Sequence, residues 1–209
     1  MRLRITFAKT EEMRFTGHLD LHRTWERIFR RAGLPIAYSQ GFHPQPRINL
    51  ASALPLGFTS QAEIADIWLE EIRPLEQVSE ALIQALPPGL TLVDTSSVEM
   101  SAPSLQTQVI ASEYIVTLLD PVDKLNERLK EVVTAASLPR ERRGKKYDLR
   151  PLIEELVRIA DDKQGRACLK MRLAAQEGAT GRPEEVLNAL DVAPEAARVH
   201  RTRLYFQTR

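Results

Sequence analysis

Two kinds of hydrophobic spacing alternate along this chain, and they do so in the same order twice. Leu3, Ile5 and Phe7 are separated by Arg4 and Thr6, the period of two expected of a strand with one buried face. Leu19, Leu21, Trp25, Ile28 and Phe29 then recur at helical spacing, with Thr16 or Asp20 placed to cap the start. Gly33 ends that helix and Pro35 follows it. Ile36–Ser39 and a Gly/Pro-rich turn, GFHPQP, lead to a second strand over Ile48–Leu54. Glu63–Leu69 alternates as a third strand. Pro74–Leu86 sets Leu75, Val78, Leu82 and Leu86 on one helical face, PPG breaks that helix, and Leu90–Val93 opens a fourth strand. The order is β-α-β-β-α-β, the split unit of ferredoxin-like domains.

MSAPSLQTQ, from Met100 to Gln108, is small, polar and proline-bearing, and reads as a connector. Beyond it the order repeats. Tyr114–Leu118 is a strand, Pro121–Ala136 a helix carrying Leu125, Leu129, Val132 and Val133, and Ala167–Leu173 a strand. Pro183–Leu190 is a helix and Ala197–Phe206 a final strand. Between them, Arg140–Arg150 reads as a basic turn hinged on Gly144, and Leu152–Ile159 has an apolar period that fits either a helix or a strand. The expectation is an α+β protein of tandem ferredoxin-like halves, residues 1–99 and 110–209, joined by a connector over 100–109. A single larger α+β sheet is the alternative.

Composition narrows the chemistry. The net charge is +1, so bulk charge points to no partner, but the charge is segregated. Gln61–Leu138 holds 13 acids against 4 bases, whereas Pro139–Arg150 holds six bases against Glu141 and Asp148. The single cysteine, Cys168, lies in an apolar-alternating run, which excludes a disulfide framework and a cysteine-only metal or iron–sulfur site and fits a buried small hydrophobe. No run reaches membrane-spanning length, and MRLRITFAKT has no apolar stretch of signal-peptide length, so a cytoplasmic protein without a cofactor is expected. P-loop, G-x-G-x-x-G and G-x-S-x-G patterns are missing from the sequence.

Three segments carry candidate site residues. In RFTGHLDLHRTWERIFRRAG, Arg23, Arg27, Arg30 and Arg31 fall mostly off the core stripe, and His18 lies at the helix entrance beside Gly17 and Arg14. Free N–H groups at a helix start favour anions, so His18 either meets an anion or braces the helix. His18 and His22 sit four apart, a spacing that can hold a metal, but the Glu of an H-E-x-x-H arrangement does not follow His18. In YSQGFHPQPRINLASALPLG, Gly41 implies a special backbone angle or a close approach, and a stiff loop presents Tyr38, Phe42, His43 and Arg47 together. Rings stack on bases and guanidinium groups meet phosphate. In RERRGKKYDLRPL, Arg142, Arg143, Lys145 and Lys146 suit phosphate, Tyr147 and Arg150 sit beside them, and Asp148 is placed to pair with Arg150 or Lys146.

The long stretch RFTGHLDLHRTWERIFRRAGLPIAYSQGFHPQPRINLASALPLG, with GKKYDLRPL later, resembles the radical-SAM-associated protein family of uncharacterised function. Members of that family stand alone or extend a cobalamin-binding radical SAM protein at its C-terminus. His43-Pro44-Gln45-Pro46 stands where an Asn-Pro-His-Pro order is common in the family. The resemblance implies partnership with a radical SAM enzyme and gives no reaction. The architecture is also similar to that of CRISPR repeat-processing endoribonucleases, a likeness of fold alone.

Taken together, these features lead us to expect a non-catalytic accessory protein that binds RNA, such as tRNA or rRNA, and presents it to a radical SAM partner. The residues expected to bind are Arg14, His18, Arg23, Tyr38, Phe42, His43, Arg47, Lys145, Lys146, Tyr147 and Arg150. Two other readings stay open. One is a metal-independent endoribonuclease with His18 or His43 as the acid–base group and Arg14, Arg47 or Lys146 as the cationic stabiliser. The other is a protein-interaction module that docks through the acidic Gln61–Leu138 region.

Overall fold

The computed structural model describes residues 1–142, 144–176 and 178–207; Arg143, one of the basic residues singled out above, lies outside them. The chain divides into two compact units, Met1–Gln108 and Val109–Arg209. Both combine strands with helices, so the class is α+β. No helix among the described residues is long and apolar enough to cross a membrane.

The first unit runs β1 (Arg2–Lys9), α1 (His18–Arg31), β2 (Ile48–Leu50), β3 (Thr59–Trp68), α2 (Leu75–Ala85), β4 (Leu90–Val98) and a short α3 (Leu105–Gln108). Its strands lie in the order β2-β3-β1-β4 with antiparallel neighbours. β1 is flanked on both sides, and its period-two pattern sends Leu3, Ile5 and Phe7 into the core. α1 answers with Leu21, Trp25, Ile28 and Phe29, and the Phe7 and Trp25 rings meet edge to face at 4.8 Å between centroids. Leu19, expected on that stripe, is 73% exposed. It sits two residues before Leu21, a step of about 200°, which turns it to the opposite side of the helix.

Both ends of α1 are informative. Gly17, not Thr16 or Asp20, occupies the N-cap, and its carbonyl accepts the Leu21 N–H at 2.9 Å. Asp20 sits in the first turn, where a carboxylate faces the positive end of the helix dipole. At the other end Gly33 N–H donates to Arg30 O and Leu34 N–H to Phe29 O, the paired bonds of a Schellman stop. The second strand is shorter than its sequence pattern implies, because the chain bends at Ala51–Ser52.

Segment 100–108, read from sequence as a connector, is fastened to this unit. Leu105 is fully buried, and the Arg2 guanidinium donates to Ala102 O and Pro103 O. The same guanidinium pairs with Asp66 at 2.6 Å, and Arg4 reaches the other oxygen of that carboxylate at 2.8 Å. Asp66 is wholly buried.

The second unit runs β5 (Val109–Leu118), α4 (Leu125–Thr134), β6 (Pro139–Arg142), β7 (Lys145–Asp148), β8 (Ile153–Ile159), β9 (Cys168–Gln176), β10 (Ala179–Thr180), α5 (Pro183–Ala189) and β11 (Ala197–Phe206). The strand order is β8-β9-β5-β11, and β10 pairs with the end of β9. Leu152–Ile159, ambiguous by period, is a strand with Ile153 and Leu156 buried, since it has β9 to pair with. Among the described residues β6 and β7 pair only with each other, which makes the expected basic turn a hairpin. Cys168 is buried on β9.

Removing the Asp66 charge leaves two guanidinium groups, one of them buried, without their counter-ion. Asp66→Asn should lower the urea-unfolding free energy by about 3–5 kcal/mol. A loss of about 1 kcal/mol or less, the value of an exposed pair, would contradict the role given to this carboxylate.

Candidate functional site

In the first unit the predicted residues form two groups. Arg14, His18 and Arg23 lie at the start of α1. The Arg14 guanidinium stacks on the Phe15 ring at 4.4 Å and pairs with Glu11 at 3.2 Å. His18 is the first residue of α1 and half-buried, and Arg23 is exposed, 3.6 Å from Asp20. His22 is half-buried one turn on, and the described residues contain no group of three His, Cys, Asp or Glu side chains able to hold a metal.

The second group sits on the loop after α1. Tyr38 bridges to Pro46, and Ser39 N–H donates to Gln45 O while Gln45 N–H donates to the Ser39 hydroxyl. These bonds close a loop whose tip is Gly41, Phe42 and His43. Gly41 has φ +133°, the backbone angle its position in the sequence implied. Phe42 is entirely exposed and His43 exposed beside it. A bare phenyl ring held out by a braced loop is a stacking platform without a partner in its own unit. Tyr38 is turned toward Glu26 (3.4 Å), and Arg47 lies on the Trp68 ring at 4.6 Å. The Arg2 guanidinium is also within 4.9 Å of that ring. Trp68 and Arg2 were not legible as site residues, because each sits in a strand pattern that accounts for it as sheet.

The second unit assembles a tighter site. In the hairpin, Arg142 lies opposite Lys145 and Arg140 opposite Tyr147, so these four side chains share one face. Gly144 makes the connection with φ +75°, which suits a two-residue hairpin loop. A groove of about 710 Å³ opens between the hairpin and the β10 segment. Arg142, Lys145, Lys146 and Tyr147 line one side, and Ala179, Thr180 and Arg182 the other. Arg182 was not among the residues picked from sequence; its only signal was a base directly before the Pro183 helix start.

Among the described residues that line this groove Asp148 is the only carboxylate, and it is occupied. Its Oδ1 accepts the Leu138 N–H at 2.7 Å and the Arg150 N–H at 2.9 Å. Those two backbone bonds, Leu138 first, hold its carboxyl below the usual aspartate value. The expected pairing with the Arg150 or Lys146 side chain is replaced by this backbone role. Arg150 itself is turned away from the groove: its guanidinium donates to Val133 O and Ile153 O, both at 3.0 Å. Burial raises the Tyr147 phenol above its ordinary value, helped by Glu185 and opposed by Arg182, Arg142 and Arg140. The phenol therefore stays neutral amid cations.

A group whose folded value is depressed stabilises the fold above its unfolded value and loses that contribution as pH falls through the folded one. Hydrogen exchange at Leu138 and Arg150 should thus stay slow until the pH drops below the ordinary aspartate range. Asp148→Ala should speed exchange at those two amides at neutral pH. Unchanged protection in the variant would show that the hairpin is held by something else.

The model of a family described as "Uncharacterized protein conserved in bacteria (DUF2344)" matches residues 2–183. No curated protein matches the chain. Among solved structures, a chain of a Cbf5–Nop10–Gar1 complex is similar at a TM-score of 0.52 and 11% identity, covering 97% of this chain and 48% of that one. A chain of the archaeal box H/ACA sRNP Nop10–Cbf5 complex is similar at a TM-score of 0.47 and 12% identity, with the same coverage. The present chain thus spans about half the length of these solved chains, and likeness at such identity concerns the fold alone.

Proposed function

Since the chain belongs to that conserved bacterial family, whose description gives no activity, we propose from its own residues that it is a non-catalytic RNA-binding accessory protein. The observation that carries this reading is the hairpin groove, lined by Arg142, Lys145, Lys146, Tyr147 and Arg182, where Asp148, the one carboxylate among the described lining residues, is engaged by backbone N–H groups. Such a surface attracts a polyanion and offers a ring to a base. The exposed Phe42 and His43, with Arg47 nearby on Trp68, supply a second contact point in the other unit. Arg14, His18 and Arg23, at the start of α1 in the same unit, are further contact candidates. Arg150 supports the site by bracing the hairpin base.

The strand orders β2-β3-β1-β4 and β8-β9-β5-β11 support reading each unit as a ferredoxin-like half. The resemblance of the Arg14–Gly57 segment to radical-SAM-associated proteins supports a radical SAM enzyme as the recipient of the bound RNA. A structured RNA such as tRNA or rRNA is the ligand we assign.

Binding governed by phosphate contacts falls with salt. A labelled tRNA should bind with affinity that drops steeply as salt rises, and Lys145→Ala or Lys146→Ala should each reduce the slope of log K against log salt by about 1. Binding that ignores salt, or no binding at low salt, would reject the reading. Including chelator and a cleavage assay separates it from the ribonuclease alternative, which requires cutting that His18→Ala or His43→Ala abolishes.

A further inference from the structure

The dimensions of the hairpin groove narrow what part of an RNA it accepts, given the RNA-binding reading on which this step rests. Its volume, about 710 Å³, is in the range of pockets that enclose a small ligand and far below what a duplex would occupy. Double-stranded RNA is met by surfaces that track several base pairs across its shallow groove. A short cleft with one ring and cations on both walls suits one strand whose bases have left the stack.

We infer that the groove is a subsite for single-stranded RNA, in which Tyr147 stacks a base while Lys145 and Arg142 on one wall and Arg182 on the other hold the flanking phosphates. The register supports this division. Arg142 and Lys145 face each other at the hairpin tip, and Tyr147 faces Arg140 two cross-strand pairs further in, on the same face. Successive same-face positions on a strand lie about 6.6 Å apart, so ring and cations are offset along the groove instead of crowding one point. Arg140 is drawn toward Glu185 (3.8 Å) on α5, which leaves the other cations to the ligand. The β10 wall is built from small residues, Gly178, Ala179 and Thr180, which admit a backbone without a bulky side chain in the way.

The test is fluorescence anisotropy at fixed low salt. The probes are a labelled ten-nucleotide oligouridylate, a labelled RNA duplex of the same length, and unlabelled uridine monophosphate as competitor. The wild type should prefer the single strand to the duplex by about tenfold or more, because stacking of one base carries about that factor. Tyr147→Leu should lose about tenfold for the single strand and little for the duplex, Tyr147→Phe should keep the affinity, and Arg182→Ala should lower the salt slope by about 1.

Equal binding of strand and duplex overturns the inference while leaving RNA binding intact, as does a Tyr147→Leu variant that binds the strand like wild type. Full displacement by uridine monophosphate at millimolar concentration also overturns it, making the groove a mononucleotide site. Absence of binding to either RNA, in a wild type shown to be folded by circular dichroism, removes the RNA-binding reading and this inference with it.

Discussion

The Asp148 carboxylate holds a strongly cationic hairpin in place by accepting the backbone N–H groups of Leu138 and Arg150. Arg142, Lys145 and Lys146 gather within a few residues of it, and like charges at that separation oppose folding of the segment. β6 and β7 pair with each other and with no other strand among the described residues, so the β8-β9-β5-β11 sheet of their unit does not hold them. What fixes them is a clasp at the base: Asp148 on two amides, Leu149 fully buried, and the Arg150 guanidinium on two carbonyls from α4 and β8. Of the basic side chains the clasp uses Arg150 alone, and it leaves Arg142, Lys145 and Lys146 to a ligand.

The first unit handles charge by a different route. There Arg2, Arg4 and Asp66 neutralise one another within the sheet, and Arg2 adds two carbonyl partners from the segment after β4. Burying an ion pair is costly unless its remaining hydrogen-bonding capacity is met, and this one is met. The exposed groups of the same unit, Phe42 and His43, sit on a loop closed by Ser39 and Gln45. Such bracing gives a presented ring a defined position, which lowers the entropic cost of binding.

The order of elements was legible in the sequence, because period two and period 3.6 are set by which face is buried. Where the pattern failed, a local or long-range partner decided. Leu19 counted as core by residue type but lies off the stripe. Leu152–Ile159 had an ambiguous period, and pairing with β9 made it a strand. Segment 100–108 looked like a linker because what holds it is main-chain carbonyls bonded to a distant arginine, which leave no trace in its own composition. The basic character of 140–150 was plain, but Arg182, some thirty residues on, joins it only in the fold, where it lines the same groove. Arg150 could not be told from its neighbours by charge, and only its carbonyl partners show it to be a brace.

We assign RNA contact to the β6–β7 hairpin and to the 41–47 loop. Ultraviolet crosslinking of 4-thiouridine-substituted tRNA, with the attached peptides mapped by mass spectrometry, tests this directly. The account predicts crosslinks at Tyr147 or its neighbours within 139–150 and at Phe42 within 41–47. Crosslinks confined to the acidic 61–138 region, with neither segment labelled, would contradict it.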